Sequence, residues 1–208
     1  MYDSTHTIHE FLNAAAAKQP APGGGSVAAL VGALAASMGE MVLNYSIGKK
    51  SLMAHEPELR TALAEFTRLR AMMLQLMVED QAAYEAITAL RKLPADSADR
   101  KEKYDATLLA CIRVPEAMAA GGVAALEWCG RLVDKANVYL LSDLAVCAEL
   151  AMATVRCGIY NVRINLTDLR DTADRESIQR TIDAILSRAT VLVRQIVPAI
   201  WKRIENPG

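Results

Sequence analysis

The sequence predicts an all-α fold, a bundle of about six helices of which several are long and antiparallel. Of the 208 residues, 52% are hydrophobic and only 5% are aromatic, so the core must be built from Ala, Leu, Val, Ile and the nine Met. Such a composition favours packed helices over sheets. Apolar residues also recur at spacings of three and four, and no stretch alternates like a strand. At this length we expect one domain, covering residues 1–208.

The first helix is short and well delimited. Thr7 and Glu10 have the spacing of a capping box, which predicts a helix from there to about Lys18. Pro20 and Pro22 then end it.

A Gly-rich loop follows and precedes the central helix. Gly23, Gly24 and Gly25 are expected to take positive φ, which lets the backbone approach a bound molecule, and Ser26 is expected to cap the next helix. The alternative is a tight turn that only allows two helices to pack closely.

Five further helices follow from the apolar periodicity. The second is rich in Ala, Gly and Ser, so neighbours can approach it closely and it should lie at the centre of the fold. The fourth contains Pro115, which is expected to kink it, and the pair Gly121-Gly122, which leaves the place of a break open. The predicted helices run from Ser26 to about Gly48, from Pro57 to about Leu93, from Ala98 to Val133, from Val138 to Leu166 and from Asp174 to Ile204.

Charge and cysteine content indicate which partners and which compartment to expect. The formal net charge is −1 and the basic residues form no long cluster, which argues against nucleic acid as a partner. The four cysteines lie in apolar helical contexts without CxxC spacing, as expected in a reducing cytoplasm.

We expect neither secretion nor membrane insertion. The N-terminus shows no basic region followed by an apolar run, which predicts a cytosolic protein. Residues 21–39 carry no charge, but the loop and Glu40 shorten the apolar helix, so it is interpreted as a core helix. The second and fifth helices carry more apolar positions than one inner stripe requires, which predicts a homodimer.

Polar residues inside apolar helical stretches mark a candidate site, because burying one without a partner costs about 1–3 kcal/mol. In the third helix, Asp80 and Tyr84 share a face beside the apolar stripe. Partial burial would raise the pKa of Asp80 and suit it to proton transfer near neutrality. The alternative is an ordinary surface carboxylate.

Two further candidates lie at helix ends. Tyr45 and Lys49 lie where the second helix ends, and the alternative there is favourable placement of cations at a helix C-terminus. Asn137 and Asp143 lie where the fifth helix begins. Asn137 also fits an ordinary N-cap, whereas Asp143 fits a buried or pocket-lining carboxylate.

The last candidate lies near the end of the fifth helix, where Tyr160 precedes Asn161 and Asn165 in a nearly apolar turn. Other catalytic templates are missing from the sequence. The three histidines have no zinc-ligand spacing, and no phosphate-binding loop or nucleophile motif occurs, so we predict no metal site.

Several segments together resemble the cyclodeaminase/cyclohydrolase family over nearly the whole chain. The glycine loop and the Asn-Val-x-Ile-Asn-Leu segment are the most specific of them. The segments are Pro20–Ala29, Gly48-Lys49-Lys50, Asp80 with Ala83-Tyr84, Leu93-Pro94, Ser142-Asp143-Leu144 and Tyr160–Leu166.

The resemblance implies an all-helical homodimer that binds a tetrahydrofolate derivative and needs no other cofactor. Two activities are known in this family. A methenyltetrahydrofolate cyclohydrolase hydrates the bridging carbon to give 10-formyltetrahydrofolate, and a formimidoyltetrahydrofolate cyclodeaminase closes the ring and releases ammonia. The deaminase is best suited to fusion with, or proximity to, a formiminotransferase domain, and a chain of 208 residues has no room for one. We therefore expect the cyclohydrolase. A third reading is a helical scaffold without catalysis.

The resemblance also gives the candidate residues their roles. Asp80 would stabilise the cationic carbon and orient the attacking water, Asp143 would hold the pterin or assist proton transfer, and Lys49 would protonate the departing nitrogen or anchor the anionic tail. Binding residues would be Gly23, Gly24 and Gly25 through close backbone contact, Ser26, Asn137, Asn161 and Asn165 through hydrogen bonds, and Tyr45 or Tyr160 through stacking.

Overall fold

A computed structural model describes residues 1–206 of the chain and shows six α-helices, with no strand in that range. Short 3₁₀ helices at Lys50–His55 and Val138–Leu140 precede the third and fifth of them. The prediction of an all-α bundle is confirmed. The helices are α1 (Ile8–Ala16), α2 (Gly24–Asn44), α3 (Glu56–Lys92), α4 (Ala98–Leu132), α5 (Leu141–Leu166) and α6 (Thr172–Glu205).

Helix α2 lies at the centre of the bundle, where it packs on α3, α4 and α5. Three glycines spaced seven residues apart line its face toward α3. A Cβ built at any of them would lie between 2.0 and 2.7 Å from the side chain opposite. As the glycine numbers increase along α2, the numbers of the facing α3 residues decrease. The two helices are therefore antiparallel and in close contact. The pairs are Gly25 with Asp80, Gly32 with Met73 and Gly39 with Phe66.

Helix α4 runs without interruption through Pro115 and the two glycines that follow it. At Gly122, a Cβ would lie 2.8 Å from the carbonyl oxygen of Ala151, and at Gly158 it would lie 2.7 Å from that of Pro115. The glycines therefore serve close packing between α4 and α5.

The ends of α2 differ from the sequence expectation. The helix begins at Gly24, with Gly23 as an extended N-cap residue, and Ser26 lies in its first turn. It ends at Asn44, and Gly48, with φ of 80°, belongs to the turn beyond it. The 3₁₀ helix that starts at Lys50 was not predicted.

Four helical stretches are long and apolar enough to cross a membrane by length and composition, namely α2, α4, Val138–Leu166 and α6. In the bundle, 56% of the most apolar window of α2 is buried against other parts of the protein.

Replacing Gly39 with alanine should destabilise the protein by about 1–3 kcal/mol, because the new methyl group would overlap the buried Phe66 ring. The measurement is the free energy of unfolding from a urea titration. Gly130→Ala is the matched control, since a Cβ there meets only ordinary contacts, the nearest at 3.4 Å from Ile196. That variant should lie within about 1 kcal/mol of the wild type or above it. Equal effects of the two substitutions would contradict the close approach of α2 and α3.

Candidate active site

A cavity of about 570 Å³ lies where the start of α2, the middle of α3 and the end of α5 meet. It contains the glycine loop and several of the predicted polar residues. Residues that line the cavity include Gly24, Gly25, Asp80, Tyr84, Arg91, Cys111, Asn161, Ile164 and Asn165.

The Asp80 carboxylate lies against the first turn of α2. It accepts a hydrogen bond of 2.9 Å from the Ser26 hydroxyl and a second one from the Ser26 backbone N–H. Gly23 offers no capping side chain, so a residue of α3 supplies the acceptor that an N-cap residue normally gives to the helix N-terminus.

Burial raises the pKa of Asp80 above its ordinary value of 3.8, and the two hydrogen bonds from Ser26 oppose that rise only in part. The carboxylate is therefore a stronger proton acceptor than one on the surface. It lies at the wall of a cavity, where a ligand can reach it.

The glycine loop works differently from the sequence expectation. Gly48 is the one residue of positive φ among residues 1–206, so the expected positive φ at Gly23 to Gly25 is wrong. Gly25 is required for another reason, because a Cβ there would lie 2.0 Å from the Asp80 carboxylate. The predicted N-cap role of Ser26 is also wrong, since its buried hydroxyl donates to Asp80.

Two asparagines of α5 form the wall opposite Asp80. Asn161 donates to the carbonyl of Cys157 at 2.8 Å, and its carboxamide lies beside Gly24. Asn165 donates to the carbonyls of Asn161 and Cys111. With both amide nitrogens committed to the protein, each side-chain oxygen is left to accept a hydrogen bond from a ligand.

The proline in α4 explains the position of Asn165. A proline at position 115 has no N–H to bond the carbonyl of Cys111 four residues earlier. The Asn165 side chain donates to that carbonyl at 3.1 Å and replaces the missing bond. The helix defect thus fixes a polar side chain at the cavity.

Helix α3 contributes two more residues that share the face of Asp80. Tyr84, one turn later, was expected from the sequence, whereas Arg91 was missed. The Arg91 guanidinium lies 2.6 Å from the carboxylate of Asp168, which follows α5. The sequence does contain a sign of this position. Arg91 follows Tyr84 by seven residues, a spacing that places both side chains on the same face of a helix.

Four of the predicted site residues lie at the other end of the bundle. Tyr45 follows the last turn of α2, about 30 Å along the helix from Gly24, and Asp143 lies about 27 Å along α5 from Asn161. Lys49 and Asn137 line a separate cavity of about 360 Å³. Within one chain, these four residues do not reach Asp80.

Asn137 has a structural task at that other end. Its backbone N–H donates to Ser46 at 2.9 Å, and its side chain donates to the carbonyl of Tyr45 at 3.1 Å. The ammonium of Lys49 lies 5.6 Å from the centre of the Tyr139 ring. Tyr160, which was predicted to stack on a ligand, is exposed on α5.

Two of the four cysteines lie in contact in the core. The Sγ atoms of the buried Cys129 and Cys147 lie 3.4 Å apart, and this contact, together with burial, raises the pKa of Cys129. In the described part of the chain, no three His, Cys, Asp or Glu side chains come together as a metal site would need.

Comparison with known proteins identifies the family. The family model for formiminotransferase-cyclodeaminase matches residues 7–184, which include the whole glycine loop, Asp80 and both asparagines. The chain belongs to this family. A methenyltetrahydrofolate cyclohydrolase of Methylorubrum extorquens is 29% identical over 203 residues, a match that covers 96% of this chain and 98% of that protein.

Other members of the formiminotransferase-cyclodeaminase family are longer. The formimidoyltransferase-cyclodeaminase of Rattus norvegicus is 27% identical over 203 residues, and the match spans only 38% of that protein. A formiminotetrahydrofolate cyclodeaminase structure from Thermotoga maritima superposes with a TM-score of 0.88 at 24% identity, over 96% of this chain and 98% of that one. That likeness establishes the fold.

The effect of replacing Asp80 with asparagine on the free energy of unfolding should become more favourable as pH rises. Between the unfolded pKa near 3.8 and the raised native pKa, the native state binds the proton more tightly, so wild-type stability falls as pH rises through this interval. Asparagine cannot ionise and escapes that loss. Urea midpoints between about pH 3 and about pH 7 measure the difference between the variant and the wild type.

Asp96→Asn, which removes one charge from the exposed loop before α4, is the control and should show no such trend. A difference between Asp80→Asn and the wild type that stays constant across the pH range would show that Asp80 is not buried enough to matter.

Proposed function

We propose that this protein is a methenyltetrahydrofolate cyclohydrolase, which reversibly hydrolyses 5,10-methenyltetrahydrofolate to 10-formyltetrahydrofolate. The observation that supports this most directly is the position of the Asp80 carboxylate at the wall of a cavity. Ser26 donates a hydrogen bond to it there, and burial raises the pKa of Asp80. The match to a cyclohydrolase over nearly the full length of both chains supports the same reaction.

The reacting carbon is part of a cationic amidinium, and the site offers what such a group needs. A carboxylate in a poorly solvated cavity attracts a delocalised cation and can accept a proton from the attacking water. The acceptor oxygens of Asn161 and Asn165 lie on the opposite wall and can bind the N–H groups of a pterin. Tyr84 and Ile164 supply the apolar surface that a planar ring system packs against.

In the proposed reaction, water adds to the bridging carbon and loses a proton to Asp80, which gives a neutral carbinolamine. The bond between this carbon and the ring nitrogen then breaks, and Asp80 returns its proton to the departing nitrogen. The hydroxyl proton leaves to solvent, so that the net products are the formyl compound and one proton. A carboxyl of raised pKa suits both transfers, because it exchanges protons closer to neutral pH.

The cyclodeaminase reaction is the second candidate, since relatives in the family carry that name. It acts on the same carbon, which stays bonded to the ring nitrogen; the second nitrogen attacks this carbon to close the ring, and the bond to the imino nitrogen breaks, so that ammonia leaves. The Asp80 geometry serves either reaction, so the two are separated by assay.

Hydration and ring opening transfer neither electrons nor phosphoryl groups. We therefore propose that the enzyme uses no cofactor beyond its folate substrate, and that it acts in the cytosol without membrane or nucleic-acid partners. Activity that survives dialysis against a chelator would agree with the first of these points.

We further propose a homodimer that buries the outer faces of α2 and α5. Each helix carries an apolar stripe with alternating spacings of four and three, and the stripe is exposed or half-buried. On α2 the stripe is Val27, Val31, Leu34, Met38, Met41 and Tyr45. On α5 it is Val146, Leu150, Ala153, Cys157, Tyr160 and Ile164.

Such a dimer gives the residues at the far end of the bundle a role. A two-fold axis through the middle of this face would set each α2 antiparallel to its copy. The end of one subunit that carries Lys49 would then lie beside the end of the other that carries Asp80. Ile164 belongs to both the α5 stripe and the cavity, so the interface reaches the cavity mouth.

Asp80→Asn should lower the rate of methenyl hydrolysis by about 10²–10⁴-fold, because the proton acceptor is lost while the fold is kept. The measurement is the decay of the methenyl chromophore with purified protein, beside ammonia release from the formimino substrate. Asp96→Asn should retain the wild-type rate.

Rapid ammonia release with slow chromophore loss would replace the cyclohydrolase by the cyclodeaminase. If the wild type neither consumes the methenyl chromophore nor releases ammonia, a scaffold without catalysis would be favoured. A normal rate in Asp80→Asn would remove this residue from the mechanism.

Leu34→Glu should convert the protein to a monomer, because it places a charge at the middle of the proposed interface. The molar mass from light scattering should fall from twice the 22.5 kDa of the chain to that value. Val191→Glu, at an exposed apolar position on α6, should leave the mass unchanged.

We expect Lys49→Ala to be inactive as well, because Lys49 of one subunit would complete the site at Asp80 of the other, and mixing the two variants tests whether the subunits share a site. Chains with Asp80→Asn and chains with Lys49→Ala should regain about a quarter of wild-type activity when subunits exchange, since one site of each mixed dimer is intact. No recovery after proven exchange would place each complete site within one chain.

A further inference from the structure

We propose that Glu149 and Arg156 of α5 form two symmetric ion pairs with a second copy of this chain and thereby set the register of the homodimer. The inference rests on the dimer in the proposed function. Both residues border the apolar stripe of α5, and both are exposed.

The two residues occupy equivalent places beside the stripe. Glu149 directly precedes the stripe residue Leu150, and Arg156 directly precedes the stripe residue Cys157, seven positions later. A spacing of seven returns to the same face of a helix, so both charges lie on one edge of the stripe. In helices that pack through such a stripe, the charges along its edges decide which orientation of the partner helix is stable.

Neither charge is neutralised within the chain. In residues 1–206, no salt bridge includes Glu149 or Arg156. Arg163 lies on the same edge, seven positions after Arg156, but its guanidinium lies 2.9 Å from the Asp183 carboxylate of α6. Glu149 and Arg156 are therefore available to a partner, whereas Arg163 is not.

A two-fold axis brings the two charges together. If two copies of α5 pack antiparallel about an axis that passes between residues 152 and 153, position 149 of one helix meets position 156 of the other. Glu149 then lies opposite the partner's Arg156, and the same ion pair forms again on the other side of the axis. A parallel arrangement would place each charge at the level of its own copy and form neither pair.

The same axis fits α2. Gly32 packs against α5, where a Cβ would lie 3.1 Å from the Thr154 side chain. Thr154 lies between Glu149 and Arg156, and Gly32 lies two residues before Leu34, at the middle of the α2 stripe. The midpoint of the two charges therefore lies at nearly the same height of the bundle as the middle of the α2 stripe, and one axis serves both helices.

This register also decides which residues of one subunit reach the cavity of the other. The axis places Asp143 of one subunit at the level of the partner's Asn161, and Tyr45 at the level of the partner's glycine loop. Within one chain, neither Asp143 nor Tyr45 reaches Asp80. The ion pairs thus bring the two ends of the bundle together at one site.

The test reverses each charge and then mixes the variants. In Glu149→Arg alone or Arg156→Glu alone, like charges face each other at both contacts, so each homodimer should be weakened. When the two variants are mixed, both contacts of the mixed dimer join opposite charges. After subunit exchange at low salt, native mass spectrometry should find at least about four-fifths of the dimers mixed, against about half without preference. In high salt this excess should shrink.

Two controls accompany the measurement. The double variant Glu149→Arg with Arg156→Glu exchanges the two charges, so its homodimer should be as stable as that of the wild type. Glu102→Arg mixed with Arg194→Glu, which reverse exposed charges on α4 and α6, should give about half mixed dimers.

No substrate is needed, so the result is independent of the proposed reaction. An excess of mixed dimers together with an inactive wild type would overturn the reaction and support the ion pairs. A mixed fraction of about half at low salt, or a wild type that is monomeric, would overturn the ion pairs.

Discussion

The structure depends on the contact between the N-terminus of α2 and the carboxylate of Asp80. The helix begins at two glycines and has no capping side chain of its own, so its first turn needs an acceptor from elsewhere. Asp80 supplies it, and only glycine at position 25 leaves room for it. Because this contact buries the carboxylate, the same interaction that completes the helix also prepares a proton acceptor.

The close packing of α2 and α3 holds this contact in place. Gly32 and Gly39 repeat the arrangement of Gly25 at intervals of seven residues, and each receives a large side chain from α3. A shift of one helix turn along the other would place these side chains against bulkier neighbours. The register of the two helices therefore positions Asp80 against the first turn of α2.

A helix defect places Asn165 at the cavity. Pro115 leaves the Cys111 carbonyl without its helical partner, and Asn165 reaches across from α5 to satisfy it. The same asparagine then presents its oxygen at the cavity. The opposite end of the bundle carries Lys49 and Asp143, so the chain holds two polar ends joined by long helices, whose outer apolar stripes form the dimer interface that we propose.

The sequence by itself determined the helical class, the central position of α2 and the partial burial of Asp80, because period, small-residue content and a carboxylate beside an apolar stripe are local properties. It could not decide which separate segments meet. Asn161 and Asp143 looked equally suitable on α5, and only the antiparallel packing of α2 places one beside Gly24 and the other far along the helix. Arg91 and Asp168 are unremarkable in sequence and become a pair only in three dimensions. Proximity across 77 positions depends on the sum of all helix contacts, which no local pattern records.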